Sequence, residues 1–259
     1  MDPTLLLTAT ITPPSDVKDL VRVDPVARMG DYIETLTFYL ELPDDVLRRI
    51  VFVENSNSDM GKLRELAGRY PSKRVEFLGF FGLDYPGKYG RGYGEFKLLN
   101  YAFDHSEMIA GLGPEDHVWK GTGRLKLKNI AEMIQTAPKE YDLYCDLRNR
   151  PSRWMDMRYY SVTKGGYRRI FHDNLENTRE DLIHPFAPDQ EHWVVTEQLM
   201  RELVERKFGQ ARIVPRFRTQ PIIEGISGRR DTNYANGFKN QIKNGLRTMT
   251  RKLVPSLWN

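Results

Sequence analysis

Two basic residues and a hydroxyl alternate through residues 119–124, which read WKGTGR. Alternate side chains of an extended chain point to one face, so Lys120, Thr122 and Arg124 would lie together. Two cations and a hydroxyl beside flexible glycines can neutralise a diphosphate. The alternative is a surface strand end with solvated charges. The aromatic and apolar residues around Lys120 favour the diphosphate site.

The glycine-rich segment 88–95, KYGRGYGE, precedes a predicted helix and is a second candidate for anion binding. A glycine such as Gly92 lets the backbone approach a phosphate, and a helix N-terminus favours an anion. Lys88 and Arg91 add positive charge to the segment. It is not a P-loop, because no Gly-Lys-Ser/Thr follows. A solvated surface loop is the alternative interpretation.

Two acidic residues are candidates for proton transfer. Glu191, in DQEHW, lies at the start of a predicted helix, where the helix dipole keeps a carboxylate ionised, as a general base requires. Asp146, in DLYCDLR, could hold a sugar hydroxyl or pair with Arg148. Ordinary helix-terminal chemistry and a strand-end ion pair are the respective alternatives. His192 and Arg148 are candidates to bind the second substrate, the acceptor that would lose this proton.

The segment IIEGISGRR, which ends at Arg230, has the composition of a flexible anion-binding loop. Glycine, serine and two arginines, Arg229 and Arg230, could close over a phosphate, with Tyr234 following. The alternative is a linker that joins the domain to the tail.

Strands and helices alternate along most of the chain and would position these residues. The predicted strands are 5–12, 49–55, 75–81, 117–121, 141–147, 155–162 and 212–217. The predicted helices are 25–42, 57–69, 96–109, 191–208 and 233–253. This order is typical of a mostly parallel, doubly wound sheet, which binds ligands beyond the carboxyl ends of its strands.

The composition is that of an ordinary globular domain, with 40% hydrophobic residues in 259. A single cysteine, Cys145, excludes an intrachain disulfide and a cysteine-rich metal site. No run approaches the about 20 apolar residues of a membrane span. The N-terminal residues lack the pattern of a signal peptide, so we expect a cytoplasmic location.

Positive charge is concentrated at the end of the chain. From residue 229 onward there are seven basic residues and one acidic residue, a net charge of +6, which leaves −2 for the rest of a chain of net charge +4. The predicted helix 233–253 places an apolar row beside a basic row, which suits an anionic membrane surface or a helix docked on the domain. No nucleic-acid-binding motif appears, so we expect no nucleic-acid partner.

Together, residues 4–228 resemble a GT-A glycosyltransferase domain, in particular small bacterial enzymes of polysaccharide and surface-glycan assembly. The resemblance rests on the order of elements and on LLLTATITP, IVFVENSNSD and KYGRGYGE. It implies an α/β, GT-A-like (Rossmann-like), mostly parallel sheet flanked by helices, forming one domain over 1–228, with a basic amphipathic C-terminal segment, 229–259. By position, it also implies that the nucleotide pocket is lined by Thr10, Thr12, Glu54 and Asn55.

The chain departs from this family at one place. Where the family carries a metal-binding Asp-x-Asp motif, this sequence has WKGTGR. The resemblance then implies that Lys120 and Arg124 stabilise the departing diphosphate in place of a metal ion. We therefore expect no cofactor, although Asp146 could still recruit Mn²⁺ or Mg²⁺. Glu191 matches the position of the family's catalytic base, with Asp146 as the second choice. Arg229 and Arg230 would contact the phosphates when their loop closes.

The implied function is transfer of a sugar from a nucleotide-sugar donor to a hydroxyl of a glycan or lipid-linked acceptor, with inversion, at a cytoplasmic membrane face. One alternative is a sugar-nucleotide nucleotidyltransferase, which needs an Arg-containing, Gly-rich loop directly after the first strand. This chain has Pro13, Pro14 and Asp16 there. The other alternative is a non-catalytic nucleotide-binding subunit, which would explain the missing acidic pair.

Overall fold

The computed structural model describes residues 3–15, 20–149, 153–182 and 195–227. Its strands are β1 (Thr4–Ala9), β2 (Arg49–Glu54), β3 (Arg74–Gly79), β4 (His117–Thr122), β5 (Leu125–Leu127), β6 (Leu143–Tyr144), β7 (Leu147–Arg148), β8 (Trp154–Met155), β9 (Tyr159–Thr163), β10 (Ile213–Val214) and β11 (Ile223–Gly225). Its α-helices are α1 (Pro25–Leu40), α2 (Gly61–Gly68), α3 (Arg91–His105), α4 (Glu107–Ala110), α5 (Ile130–Thr136), α6 (Lys164–Ile170) and α7 (Thr196–Glu205). Short 3₁₀ turns lie at Gly87–Tyr89, His172–Asn174 and Glu176–Thr178.

Seven of the described strands form a central sheet in the order β10-β6-β9-β4-β1-β2-β3. The pairs β1–β2, β1–β4, β2–β3 and β6–β10 are parallel. Strand β9 runs antiparallel to both of its neighbours, β4 and β6. The prediction of a mostly parallel sheet flanked by helices is therefore confirmed.

Strand β1 lies at the centre of the sheet because its sequence, TLLLTA, is apolar on both faces. Leu6 packs into one hydrophobic core with residues of α3, whereas Leu5 and Leu7 pack into a second core with residues of α1. All three leucines are fully buried. A strand covered on both faces reads as a continuous apolar run, which is the pattern seen in parallel sheets.

The strand order reverses at β1. After β1 the chain adds β2 and β3 on one side, and then β4 on the other side. Connections from neighbouring parallel strands then leave in opposite directions, and a crevice forms at their carboxyl ends. Residues at the ends of β1 and β4 therefore face a crevice that the sheet order itself creates.

Helix α1 begins where the sequence predicts, at Pro25, which needs no backbone N–H at that position. Asp24 caps it by accepting from the backbone N–H groups of Val26 and Ala27. The buried face of the helix carries polar residues as well as apolar ones. Its buried residues are Arg28, Asp31, Tyr32, Thr35, Leu36, Tyr39 and Leu40.

Several predicted elements have other bounds in the structure; for example, α2 begins at Gly61 and β10 covers only Ile213–Val214 of the predicted strand 212–217. Helix α3 begins at Arg91 instead of 96, so the glycines form its first turn. The predicted strand 141–147 is divided into β6 and β7, and the predicted strand 155–162 into β8 and β9. The interruptions lie at Asp146 and Asp156, which turn inward and pair with arginines, and such ion pairs are not visible in apolar periodicity.

Part of the predicted organisation lies outside the described residues. The basic segment 229–259, with its predicted helix, belongs to that part, as do the first residues of the predicted helix 191–208. Helix α7 is the described portion of the latter. Among the helices that the structure describes, none combines the length and apolar character needed to cross a bilayer.

Glu54 closes the carboxyl end of β2. Its fully buried carboxylate accepts hydrogen bonds from the backbone N–H groups of Ile11 (2.9 Å), Ser56 (3.0 Å) and Ser58 (3.1 Å), and from the Ser56 hydroxyl. The carboxylate thereby ties the connection after β1 to the connection after β2, next to the crevice.

We expect Glu54→Gln to lower the free energy of unfolding by about 1–3 kcal/mol, because the amide nitrogen would face backbone N–H donors in a buried site. Urea denaturation measures the change. Glu65→Gln is the control, since it removes only an exposed ion pair with Arg69 and should cost less than about 1 kcal/mol. Equal losses in the two variants would contradict the bracing role of Glu54.

Candidate functional site

A cleft of about 240 Å³ lies at the carboxyl ends of β1 and β4. The start of α1, the first turns of α3, the segment after β8 and the start of α7 complete its walls. The basic side chains that line it are Arg28, Arg91, Lys120, Arg124 and Arg158. The acidic side chains that line it are Glu95, Glu180 and Glu197. Among the described residues, positive charge is therefore in excess.

The structure brings Lys120, Thr122 and Arg124 to this one cleft, as their alternation predicts. Lys120 is nevertheless almost fully buried, with its side chain 2% exposed. Its ammonium lies 2.6 Å from Glu95 Oε1 and donates to the Met157 carbonyl (2.6 Å) and the Thr122 hydroxyl (3.3 Å). Because three acceptors already surround it, Lys120 organises the floor of the cleft.

Glu95 links three elements at this floor. It projects from α3, pairs with Lys120 of β4, and accepts a hydrogen bond of 2.8 Å from the Thr8 hydroxyl of β1. Glu95 is the last residue of KYGRGYGE, and the sequence alone indicates no role for it. Its position just after a glycine-rich first turn is the only sequence signal for it.

Arg28 and Arg124 both line the cleft, and the charge of Arg124 acts on Arg28. Arg28 is buried and donates to neutral partners, the carbonyls of Thr10 (2.7 Å) and Arg22 (2.9 Å) and the Tyr32 hydroxyl (3.2 Å). Burial lowers the pKa of Arg28, and the positive charge of Arg124 lowers it further, although arginine stays protonated. An anion bound between the two groups would relieve this repulsion.

Arg124 and Arg91 are the cations most available to a ligand. Arg124 donates one hydrogen bond of 2.9 Å, to the Ile226 carbonyl. Arg91 is exposed at the first position of α3. Neither has a carboxylate partner among the residues that the structure describes. The excess positive charge of the cleft therefore resides largely on arginines from different elements.

The glycines of KYGRGYGE allow α3 to pack closely against the rest of the chain. A Cβ atom at Gly92 would overlap Thr196 at the start of α7, and one at Gly94 would overlap the Tyr85 hydroxyl. Gly90 has a positive φ of 85° and lies against Glu180. These close approaches place the N-terminal turn of α3, without a side-chain cap, at the cleft.

Two of the four residues predicted for the nucleotide pocket line the cleft, Thr10 and Asn55, and their side chains share a hydrogen bond of 2.6 Å. Thr12 lies outside the lining, where its exposed hydroxyl bonds Ser58. Glu54 is buried, and its carboxylate joins the connection after β1 to the connection after β2. It positions the loops of the pocket instead of contacting a ligand.

Three other assignments need correction. Asp146 and Arg148 pair at 3.2 Å, with side chains 2% and 4% exposed, so neither reaches the cleft as a base or an acceptor contact. Their alternative interpretation, a strand-end ion pair, is the arrangement found. Lys88 is largely exposed and pairs with Asp181, away from the lining, whereas Arg91 and Gly92 of the same segment line the cleft.

The remaining predicted residues lie outside the described part of the chain, so their roles stay predictions. They are Glu191, His192, Arg229, Arg230 and Tyr234.

Two acids at the α7 end of the cleft were not predicted. Glu180 accepts from the backbone N–H (2.9 Å) and the hydroxyl (2.6 Å) of Thr196, and so caps α7 from another segment. Glu197, in the first turn of α7, lines the cleft and is only partly buried. Within the described residues it has no hydrogen bond or ion pair.

Arg28 and Arg158 are two further charged residues of the lining that sequence reasoning missed. Arg28 carries a usable signal, because its spacing to Tyr32 and Leu36 places it on the buried face of α1. A basic residue on a buried helix face requires a polar partner or a ligand. For Arg158 we find no comparable signal, since its position depends on the inward turn of Asp156.

The described residues contain no group of three or more His, Cys, Asp or Glu side chains placed to hold a metal ion. Two of the three acids that line the cleft are already engaged, Glu95 with Lys120 and Glu180 with Thr196. The residues present at this edge of the sheet fit an anionic ligand better than a cation.

No protein-family model and no curated protein sequence matches the chain. Among solved structures it is similar to one described as a nucleotide-diphospho-sugar transferase from Desulfovibrio desulfuricans G20, with 13% identity, 83% of this chain and 80% of that one covered, and a TM-score of 0.44.

It is also similar to the galactosyltransferase LgtC in complex with donor and acceptor sugar analogs, at 10% identity, 79% and 70% coverage and a TM-score of 0.48. A third similar structure is the inositol-1-phosphate CTP transferase from T. maritima, at 9% identity, 98% and 97% coverage and a TM-score of 0.43. Similarity at these values does not show a shared activity. The fold class is assigned from the strand order and strand directions of the central sheet.

We expect Gly92→Ala to lower the free energy of unfolding by about 1–3 kcal/mol, because the added methyl group overpacks the contact between α3 and Thr196. Gly30→Ala is the matched control. Gly30 also lies in a helix, with nothing within 4 Å of an added Cβ, so its substitution should be neutral or stabilising. Thermal unfolding of both variants measures the difference, and a harmless Gly92→Ala would contradict the close packing.

Proposed function

We propose that the protein is a glycosyltransferase that moves a sugar from a nucleotide-sugar donor to an acceptor hydroxyl. The observation that carries this proposal is the convergence of Arg28, Arg91 and Arg124 on a cleft at the carboxyl ends of β1 and β4. A doubly wound sheet binds ligands in this place, and clustered guanidinium groups suit phosphate oxygens.

The proposed reaction breaks the bond between the anomeric carbon of the sugar and the diphosphate oxygen, and the acceptor oxygen forms a new bond to that carbon. The electron pair of the broken bond leaves with the nucleoside diphosphate, which gains negative charge in the transition state. Arg91 and Arg124 would stabilise that charge. Thr10 and Asn55 would lie at the nucleoside end, where β1 and β2 finish.

In this proposal Lys120 has a different role from the direct diphosphate contact that the sequence predicts. Its ammonium is balanced by Glu95, so it adds little net charge to the cleft. It fixes the positions of Thr122 and the Met157 backbone, which border the proposed diphosphate site. We therefore propose that chiefly the arginines stabilise the diphosphate charge in place of a metal ion, and that no cofactor is required.

The acceptor hydroxyl must lose a proton as it attacks. We assign this step to Glu197, which lines the cleft at the start of α7 and has no partner among the described residues. Glu191, six residues earlier, remains the sequence prediction for the same role. A direct displacement of this kind inverts the configuration at the anomeric carbon.

The acceptor is proposed to be a glycan or a lipid-linked glycan, presented at an anionic membrane surface. The support is the basic composition of residues 229–259. Arg229, Arg230 and Tyr234, at the start of that segment, remain predicted contacts of the donor phosphates.

We expect one nucleoside diphosphate and its sugar conjugates to raise the unfolding temperature, and EDTA to leave the shift unchanged. At 100 times the dissociation constant a ligand adds about 2.7 kcal/mol of stability. Arg124→Gln should remove most of the shift, whereas Lys128→Gln, an exposed control outside the cleft lining, should retain it.

A shift that needs added manganese would contradict metal independence and leave the transferase proposal in place. No shift with any nucleotide would contradict the donor site and favour a protein without nucleotide chemistry. Formation of a nucleotide sugar from a nucleoside triphosphate and a sugar phosphate would favour the nucleotidyltransferase alternative.

We expect Glu197→Gln to lower kcat by about 10²–10⁴-fold, the range for removal of a general base, and to leave nucleoside diphosphate binding unchanged. Release of nucleoside diphosphate in the presence of acceptor measures the rate. Glu191→Gln is made in parallel. A full rate in Glu197→Gln with a large loss in Glu191→Gln would transfer the role to Glu191.

A further inference from the structure

A chain of alternating charges runs from the protein interior to the cleft. Its buried members, Asp146, Arg148 and Asp156, have side chains no more than 4% exposed, whereas Arg158 is 26% exposed and lines the cleft. Arg148 Nη2 lies 3.2 Å from Asp146 Oδ2 and 3.1 Å from Asp156 Oδ2. The last positive charge of the series therefore lies where a ligand can reach it.

Asp156 holds Arg158 with two parallel contacts. Arg158 donates from Nε to Asp156 Oδ1 at 2.8 Å and from Nη2 to Asp156 Oδ2 at 2.6 Å. Bidentate pairing of this kind fixes the plane of the guanidinium group. Burial alone would raise the pKa of Asp156, but the charges and hydrogen bonds of Arg158 and Arg148 outweigh it and hold that pKa well below its usual range.

The backbone of the same segment positions the floor of the cleft. The Met157 carbonyl accepts the Lys120 ammonium at 2.6 Å, and the Arg158 carbonyl accepts the Thr122 backbone N–H at 3.0 Å. The guanidinium of Arg158 is thus fixed relative to Lys120 and Thr122 through both its side chain and its main chain. A shift of Asp156 would move this corner of the cleft.

Stability alone does not require such an arrangement. Replacing buried ion pairs by apolar side chains of similar volume is often neutral or stabilising, because removing charges from water is costly. Here two carboxylates and an arginine are buried behind one partly exposed arginine. The result of that arrangement is that the guanidinium of Arg158 is held rigidly at the wall of the cleft.

We infer that Arg158 contacts the anionic diphosphate of the donor, and that Asp156 is the positioning residue that holds the Arg158 guanidinium in place. The inference rests on the proposed function, because it requires an anionic ligand in the cleft. Arg158 would then act together with Arg124 across the carboxyl end of β4.

Calorimetric titration with UDP, GDP, CDP and ADP in EDTA tests this inference on the full chain. Arg158→Gln should weaken binding of the preferred nucleotide by about 10- to 100-fold, as expected for loss of a charge-assisted hydrogen bond. Asp156→Asn should weaken it by about tenfold. The double variant should bind no more weakly than Arg158→Gln alone, because Asp156 acts through Arg158.

Asp142→Asn is the matched control for loss of a buried carboxylate. Asp142 has a side chain 5% exposed and pairs with Arg169 and Arg212, none of which lines the cleft. This variant should lose stability, as Asp156→Asn does, yet bind the nucleotide with unchanged affinity. Arg158→Gln changes a partly exposed residue, so it tests the ligand contact even where Asp156→Asn fails to fold.

The outcomes separate this inference from the function on which it rests. If the wild-type chain binds a nucleotide and Arg158→Gln binds it within twofold, the inference is overturned and the donor site stands. If the losses in Asp156→Asn and Arg158→Gln add independently, Asp156 is not the positioning residue. If the wild-type chain binds none of the four nucleotides, the inference fails together with the proposed function.

Discussion

The buried ammonium of Lys120 is the interaction on which the geometry of the cleft depends. Leaving such a charge unpaired in a protein interior would cost several kcal/mol. The chain meets this requirement with acceptors from three places, Glu95 of α3, the Met157 carbonyl and the Thr122 hydroxyl. Satisfying one ammonium therefore fixes the distance between helix α3, strand β4 and the segment that follows β8.

The same neutralisation determines which charges remain for a ligand. Lys120 is balanced by Glu95, and Arg158 is held by Asp156, so both are fixed in place. Arg91 and Arg124 have no carboxylate partner among the described residues and contribute most of the net positive charge. Because the parallel sheet reverses its strand order at β1, these groups converge on one crevice from elements far apart in sequence.

The sequence predicts the fold better than the details of the site, for physical reasons. Apolar runs such as TLLLTA and RIVFVE specify buried parallel strands, and alternation correctly groups Lys120, Thr122 and Arg124. Sequence patterns do not reveal which polar groups pair across the fold. Lys120 is therefore predicted as a free cation and found paired, and Asp146 is predicted to reach a ligand and found in an ion pair.

The glycine-rich segment illustrates the same limit. Its composition correctly indicates close approach of a backbone, and the structure shows that Thr196 and Tyr85 are among the groups that approach it. Arg28 could have been found from its spacing on the buried face of α1. Arg158 and Glu197 could not, because their places depend on the inward turn of Asp156 and on where α7 begins.

Arginines at the carboxyl ends of β1 and β4 are proposed to hold the diphosphate of a nucleotide sugar. A crystal structure of the chain with its preferred nucleoside diphosphate, grown in EDTA, tests this most directly. We predict phosphate oxygens within hydrogen-bonding distance of Arg124 and Arg91, with the nucleoside beside Thr10 and Asn55. A nucleotide bound elsewhere on the chain, or phosphates directed away from these arginines, would contradict the account.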